Sequence, residues 1–166
     1  MNVVKHYVID SSSLIELMRT NPIDIYVTVW RKIDELIEGG RLVSPEYVLD
    51  EIRRGDDDLK NWADRRRKMF KSPTSSQIER VTEVLAKFPG LAHSSKDTPD
   101  ADPFVIALAL EKKKMAIEDF GTATERIVIS EEKVRGNEHK IPLVCQHYGI
   151  RCIGIYEMFR EEGWRF

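Results

Sequence analysis

The chain has 166 residues, 42% of them hydrophobic and 33% charged, with a formal net charge of −2. This length is near that of one ordinary domain, and the balance of apolar and charged residues excludes a disordered or fibrous chain, so a single domain over residues 1–166 is predicted. A near-neutral total does not exclude nucleic acid as a partner, because local charge decides that contact.

Two cysteines, Cys145 and Cys152, are too few for a disulfide framework. The longest purely apolar run, Phe104 to Leu110, is far short of the ~20 residues that cross a bilayer. Lys5, His6 and Asp10 interrupt any signal-peptide core. These features predict a cytoplasmic protein with no membrane span.

"HYVID" (6–10) reads as the first strand and stops on the carboxylate of Asp10. Ser13 and Glu16 have capping-box spacing, which predicts a helix starting at Ser13 and carrying Leu14, Ile15, Leu17 and Met18. A second helix is expected from Ile23 to Glu38, with Ile25, Val29, Ile33, Leu36 and Ile37 at helical spacing and Gly39-Gly40 as its stop. "RLVS" (41–44) reads as strand two, and Pro45 fits the first turn of a helix running to Arg54. Two further helices are expected over 58–71 and 75–88, then a loop over 89–98.

In "DADPFVIALALEKKK" (100–114), Asp102 followed by Pro103 matches a helix N-cap with proline in first position, and the apolar run after it suits a mostly buried helix. "RIVIS" (126–130) reads as strand three, "KIPLVCQHYG" as a helix, "RCIGI" as strand four and Tyr156 to Glu162 as a terminal helix. Strands alternating with helices imply a three-layer α/β/α sandwich with a mostly parallel sheet, whose functional crevice lies at the carboxyl ends of the strands.

Acidic residues recur at that end: Asp10, Glu51, Asp102 and the pair Glu131 and Glu132. Each has a plain structural explanation as a turn, cap or first-turn charge. Four separate segments bringing carboxylates to one sheet edge would repel one another unless a divalent cation neutralised them, and hard oxygen donors suit Mg²⁺ or Mn²⁺.

These residues resemble the PIN-domain nucleases, including the VapC-type toxins of prokaryotic toxin–antitoxin systems. "YVIDSSSLIEL" is similar to the opening strand, Asp and Ser/Thr turn of that family. "SPEYVLDEI" puts Glu51 in the second acidic position, with Asp50 as its alternative. "ADPFVIALAL" supplies Asp102 as the third. "IVISEE" supplies Ser130 in the hydroxyl position and Glu132 as the fourth acid, a Glu where the family usually has Asp, with Glu131 as its alternative. "KIPLVCQHYGIRCI" is similar to an uncharacterised PIN-like subgroup.

The resemblance implies a metal-dependent endoribonuclease in which Asp10, Asp102 and Glu132 bind Mg²⁺ or Mn²⁺. Glu51 completes the metal shell or orients water, and Ser12 and Ser130 support the carboxylates. For a toxin it also implies a cognate antitoxin and dimerisation. The alternative is a PIN-like scaffold that binds RNA or protein without cutting. A dehalogenase-like phosphatase is disfavoured, since Ser12 stands where it needs a second Asp.

The stretch "RRGDDDLKNWADRRRKMFK" (53–71) is basic. Arg53, Arg54, Arg65, Arg66, Arg67 and Lys68 are candidates for clamping an RNA backbone, with Trp62 and Phe70 stacking on bases. The competing reading is a solvated helix face with both aromatics in the core. Asp56 to Asp58 read as a surface loop with an N-cap, the "EKKK" run (111–114) as solvation, and His139, Cys145, His147 and Cys152 match no compact zinc motif.

Overall fold

The computed structural model describes residues 3–92, 100–115 and 123–166. The "EKKK" lysines lie at its margin, their side chains outside what is described, as is His93.

The first strand, β1 (Val3–Ile9), is the centre of the sheet. Its last three residues, Tyr7, Val8 and Ile9, are completely buried, as a strand covered on both faces requires. It pairs in parallel with β2 (Leu42–Pro45) on one side and β4 (Ala123–Ile129) on the other. Beyond them lie β3 (Phe70–Lys71) and β5 (Cys152–Ile153), giving the order β3-β2-β1-β4-β5 with every described pairing parallel. Helices cover both faces, so the fold is the three-layer α/β/α sandwich expected. The connections leaving the neighbouring strands β1 and β4 run in opposite directions, to β2 and to β5, which opens a crevice at their carboxyl ends.

Several local expectations are corrected. The helix after β1, α1 (Ser11–Thr20), begins two residues before Ser13, because the Asp10 carboxylate accepts from the Ser13 amide at 2.9 Å and is itself the N-cap. No capping box forms; Glu16 instead pairs with Arg19 on the exposed face. The next helix, α2 (Val27–Glu38), begins at Val27, because Pro22 to Tyr26 close a turn through the Pro22 carbonyl and leave Ile25 71% exposed. Pro45 ends β2 and caps α3 (Glu46–Ile52) instead of opening its first turn.

The helix expected over 58–71 is three pieces. α4 (Asp57–Asp64) is capped by Asp56, a 3₁₀ turn covers Arg67–Met69, and β3 follows as a strand that periodicity alone did not show. Phe70 turns inward beside Ser44 while Lys71 faces out, the alternation of a strand.

α5 (Ser75–Lys87) packs against α6 (Asp102–Met115), and α6 lies across β2, β1 and β4 with Val105, Ile106 and Ala109 buried. Asp102 is the first residue of α6, not its cap: the Ala101 carbonyl accepts the first helical bonds. α7 (Ile141–Tyr148) ends in Gly149 at φ 66°, a left-handed position that favours glycine.

The last helix, α8 (Ile155–Glu161), is tied back to the sheet. Glu162, just past it, accepts from the Tyr7 hydroxyl at 2.6 Å and from Arg41. Trp164 and Phe166 pack on Phe159. Among the described residues no helix is long and apolar enough to cross a membrane.

Candidate functional site

Asp10 leaves the central strand at the crevice, 2% exposed. Its carboxylate accepts from the Ser12 hydroxyl at 2.8 Å, from the Ser130 hydroxyl at 2.6 Å and from the Ser13 amide. Each serine is polarised in turn, since the Glu131 amide donates to Ser12 Oγ and the Glu132 amide to Ser130 Oγ, both at 3.1 Å. Two relays therefore run from the backbone after β4, through a hydroxyl, to one carboxylate. Burial pushes Asp10 up to about 6 despite these donors, which favour the charged form.

Beside it is a cleft of about 470 Å³ whose described lining includes Ser11, Glu51, Asp102 and Glu132. Glu51 is held by the Ser11 hydroxyl at 2.6 Å and the Ala101 amide at 3.1 Å, so it links the starts of α1 and α6. Glu132 accepts from the Ile141 amide at 3.1 Å and caps α7. Asp102, at the first turn of α6, is pushed up to about 8, by burial first and then by the neighbouring charges of Glu132, Asp10, Glu51 and Asp100. The fold thus brings the four expected carboxylates into one electrostatic neighbourhood.

The structure places the two pairs of alternatives in different surroundings. Glu131 turns away from the cleft and accepts from the Ile155 amide at 2.7 Å, capping α8, whereas Glu132 lines the cleft. Asp50 lies in a separate depression with Glu46, Arg53 and Arg67, and Glu51 faces the acidic side.

The basic stretch is placed elsewhere. None of Arg53, Arg54, Arg65, Arg66, Arg67 or Lys68 is among the described residues of the cleft. Arg53 pairs with Asp64 at 2.8 Å, Arg66 with Asp34, and Lys68 with Glu38 at 2.5 Å. Arg65 and Arg67 are exposed. Of the two readings of the aromatics, the core one holds: Trp62 and Phe70 are buried, and Trp62 meets Trp30 edge to face at 4.9 Å beneath the Arg66 guanidinium.

Residues that sequence reasoning did not bring to the site include Asp100, Glu138, His139 and Lys140. The last three belong to "NEHKIP", and their one available signal was position: a segment leaving β4 at the carboxyl edge of a parallel sheet. Cys145 is buried and its thiol is pushed up, by contact with the Cys152 thiol and by burial, while His147 packs against Phe88 and Tyr148.

Whether these residues suit a metal ion is a question of donors and spacing. The cleft presents oxygen donors, and its carboxylates repel one another, as a hard divalent cation would relieve. Among the described residues no three acidic, histidine or cysteine side chains already stand as a ligand set; Asp10, Glu51 and Glu132 each accept from protein donors.

A parallel α/β protein with an acidic cleft at its sheet's switch point is the class that fold and site define. Residues 7–166 match the family described as a domain of unknown function, DUF4411, and the chain belongs to it. No curated protein matches the chain.

Proposed function

We propose that this chain is a PIN-like, metal-dependent ribonuclease that hydrolyses RNA phosphodiester bonds in the acidic cleft. The observation that supports this best is the gathering of Glu51, Asp102 and Glu132 on one cleft beside the buried Asp10: carboxylates brought from four segments to one sheet edge repel one another and need a counter-charge. Asp10, Asp102 and Glu132 would hold Mg²⁺ or Mn²⁺, with Glu51 completing the shell or orienting water. What such an ion supplies when bound is an activated water and neutralisation of charge building on the phosphate.

The chain's own part is placement. Ser12 and Ser130 hold Asp10 in one orientation from both sides. Ser11 and the Ala101 amide do the same for Glu51. Asp102 is carried at the start of a buried helix that cannot shift without disturbing the core. A cognate antitoxin and a homodimer belong to the same reading, through the resemblance alone.

The second reading, a PIN-like module that binds without cutting, draws on the carboxylates already being engaged by protein donors. Purified protein incubated with labelled RNA and Mn²⁺, beside Asp10→Asn and Asp102→Asn, separates the two. Cleavage by the native chain and not by the variants is expected. RNA binding without cleavage would establish the module, and equal cleavage by all three would assign the activity to a contaminant.

A further inference from the structure

The segment between β4 and α7 gives the described lining of the cleft its imidazole and its ammonium, on His139 and Lys140. His139 Nδ1 accepts from the Gly90 amide at 3.1 Å, and its ring stands edge-on to Phe88 with centroids 5.5 Å apart. Gly90 permits this approach, since a Cβ there would lie 2.7 Å from the His139 Cβ. The imidazole therefore lies against bare backbone with its orientation fixed by a hydrogen bond and a ring contact.

A ring nitrogen that accepts carries no proton, so the ring proton sits on Nε2. Among the described residues nothing accepts from Nε2, while His139 itself lines the cleft with Asp102, Glu132 and Lys140. Lys140 is the one lysine or arginine in that described lining. Its ammonium stands 3.6 Å from Glu138 in a solvent-exposed pair, an interaction weak enough to exchange for a phosphate.

A cleft walled by carboxylates repels a polyanion unless donors receive it. We infer that His139 is a substrate-binding residue: its Nε2–H, with the Lys140 ammonium next in sequence, receives a non-bridging oxygen of the scissile phosphodiester. This rests on the phosphodiesterase reading above. A donor held rigidly before substrate arrives needs no reorganisation on binding.

The competing role for His139 is purely structural, as the acceptor that holds Gly90, and two variants of the full chain separate the roles. In His139→Asn the amide oxygen can replace Nδ1 but nothing reaches the Nε2 position; in His139→Gln an amide N–H reaches that position. With single-stranded RNA and Mn²⁺, the Asn variant is expected to lose about tenfold or more in kcat/KM, mainly through KM, and the Gln variant to stay within about threefold of the native chain. Asn performing as well as Gln, or better, overturns the assignment while leaving the nuclease reading intact. A native chain that does not cleave, or an Asp102→Asn variant that cleaves equally, overturns both.

Discussion

Ser130 donates to Asp10 across 120 positions of sequence, at 2.6 Å and out of contact with water. This hydrogen bond joins the carboxyl ends of two neighbouring strands, β1 and β4, at the point where the sheet's connections diverge. Removing the hydroxyl leaves Asp10 buried with fewer donors to its charged form, which moves its carboxyl further above 6. Ser130→Ala is therefore expected to lower RNA cleavage by about 10–100-fold, with the loss largest below neutral pH. A pH–rate profile checks this; an unchanged profile would show that the serine only caps the turn.

Asp102 makes the metal-free protein sensitive to pH in an unusual direction. Its carboxyl titrates at about 8 in the fold and near 3.9 in an unfolded chain. Between those values the folded state holds a proton that the unfolded chain has released, so stability falls as pH rises and levels off above about 8. Asp10, pushed up to about 6, acts the same way over a narrower window. Asp102→Asn removes the larger effect and should raise the melting temperature at pH 8 by roughly 3–8 °C, with the gain vanishing towards pH 4. Mn²⁺ should raise the melting temperature of the native chain and not of the variant. Thermal melts across pH in chelator and in Mn²⁺ check both; a variant that melts lower at pH 8 contradicts the charge argument.

Glu131 and Glu132 are neighbours with opposite duties. Glu131→Gln weakens the cap on Ile155, costing about 0.5–1.5 kcal/mol of stability with cleavage within a few-fold of native. Glu132→Gln keeps an oxygen for the Ile141 amide but removes a charge from the cleft, so cleavage should drop by at least about a hundredfold with little change in melting. Denaturant unfolding and cleavage, measured on both variants, would refute the division if the two behaved alike.

Arg126 is a charge that the fold carries at a cost. Its Nη1 donates to the Leu108 carbonyl at 3.0 Å, its Nε is buried with no partner among the described residues, and burial pulls its guanidinium down to about 10. Arg126→Met exchanges this for apolar contact with α6 and should stabilise the chain by about 1–2 kcal/mol. Urea unfolding measures it, and a loss of stability would mean that the Leu108 contact outweighs the buried charge.

The parts of the fold that were legible in sequence are those where one physical demand acts alone. β1 closes on a short buried apolar run ended by a carboxylate, α6 opens on a long one behind Asp102 and Pro103, and both lie within a residue or so of expectation at the ends that matter for the site. β3 was not legible: a two-residue strand has no period, and Phe70 and Lys71 continue the charged pattern of α4. Trp62 reads equally as a stacking platform or a core residue until Trp30, 32 positions earlier, is seen packed against it. The site was legible as carboxylates and not as geometry. Asp10, Glu51, Asp102 and Glu132 could be chosen because they follow strands or open helices. The choice of Glu132 over Glu131 depends on which one the start of α8 captures, and that is a tertiary fact.

The same wiring has a consequence for how the chain is made. Asp10 leaves the ribosome 120 residues ahead of the Ser130 hydroxyl that seals it, and the amide that Glu132 holds follows later still, at position 141. Until those segments arrive, β1 lacks its β4 neighbour and the cleft lacks Glu132, Glu138, His139 and Lys140. A fragment released before β4 therefore carries Asp10, Glu51 and Asp102 without the fourth carboxylate or the hydroxyl that orders the first, and whatever chemistry the cleft performs is withheld until residue 141 has joined the fold.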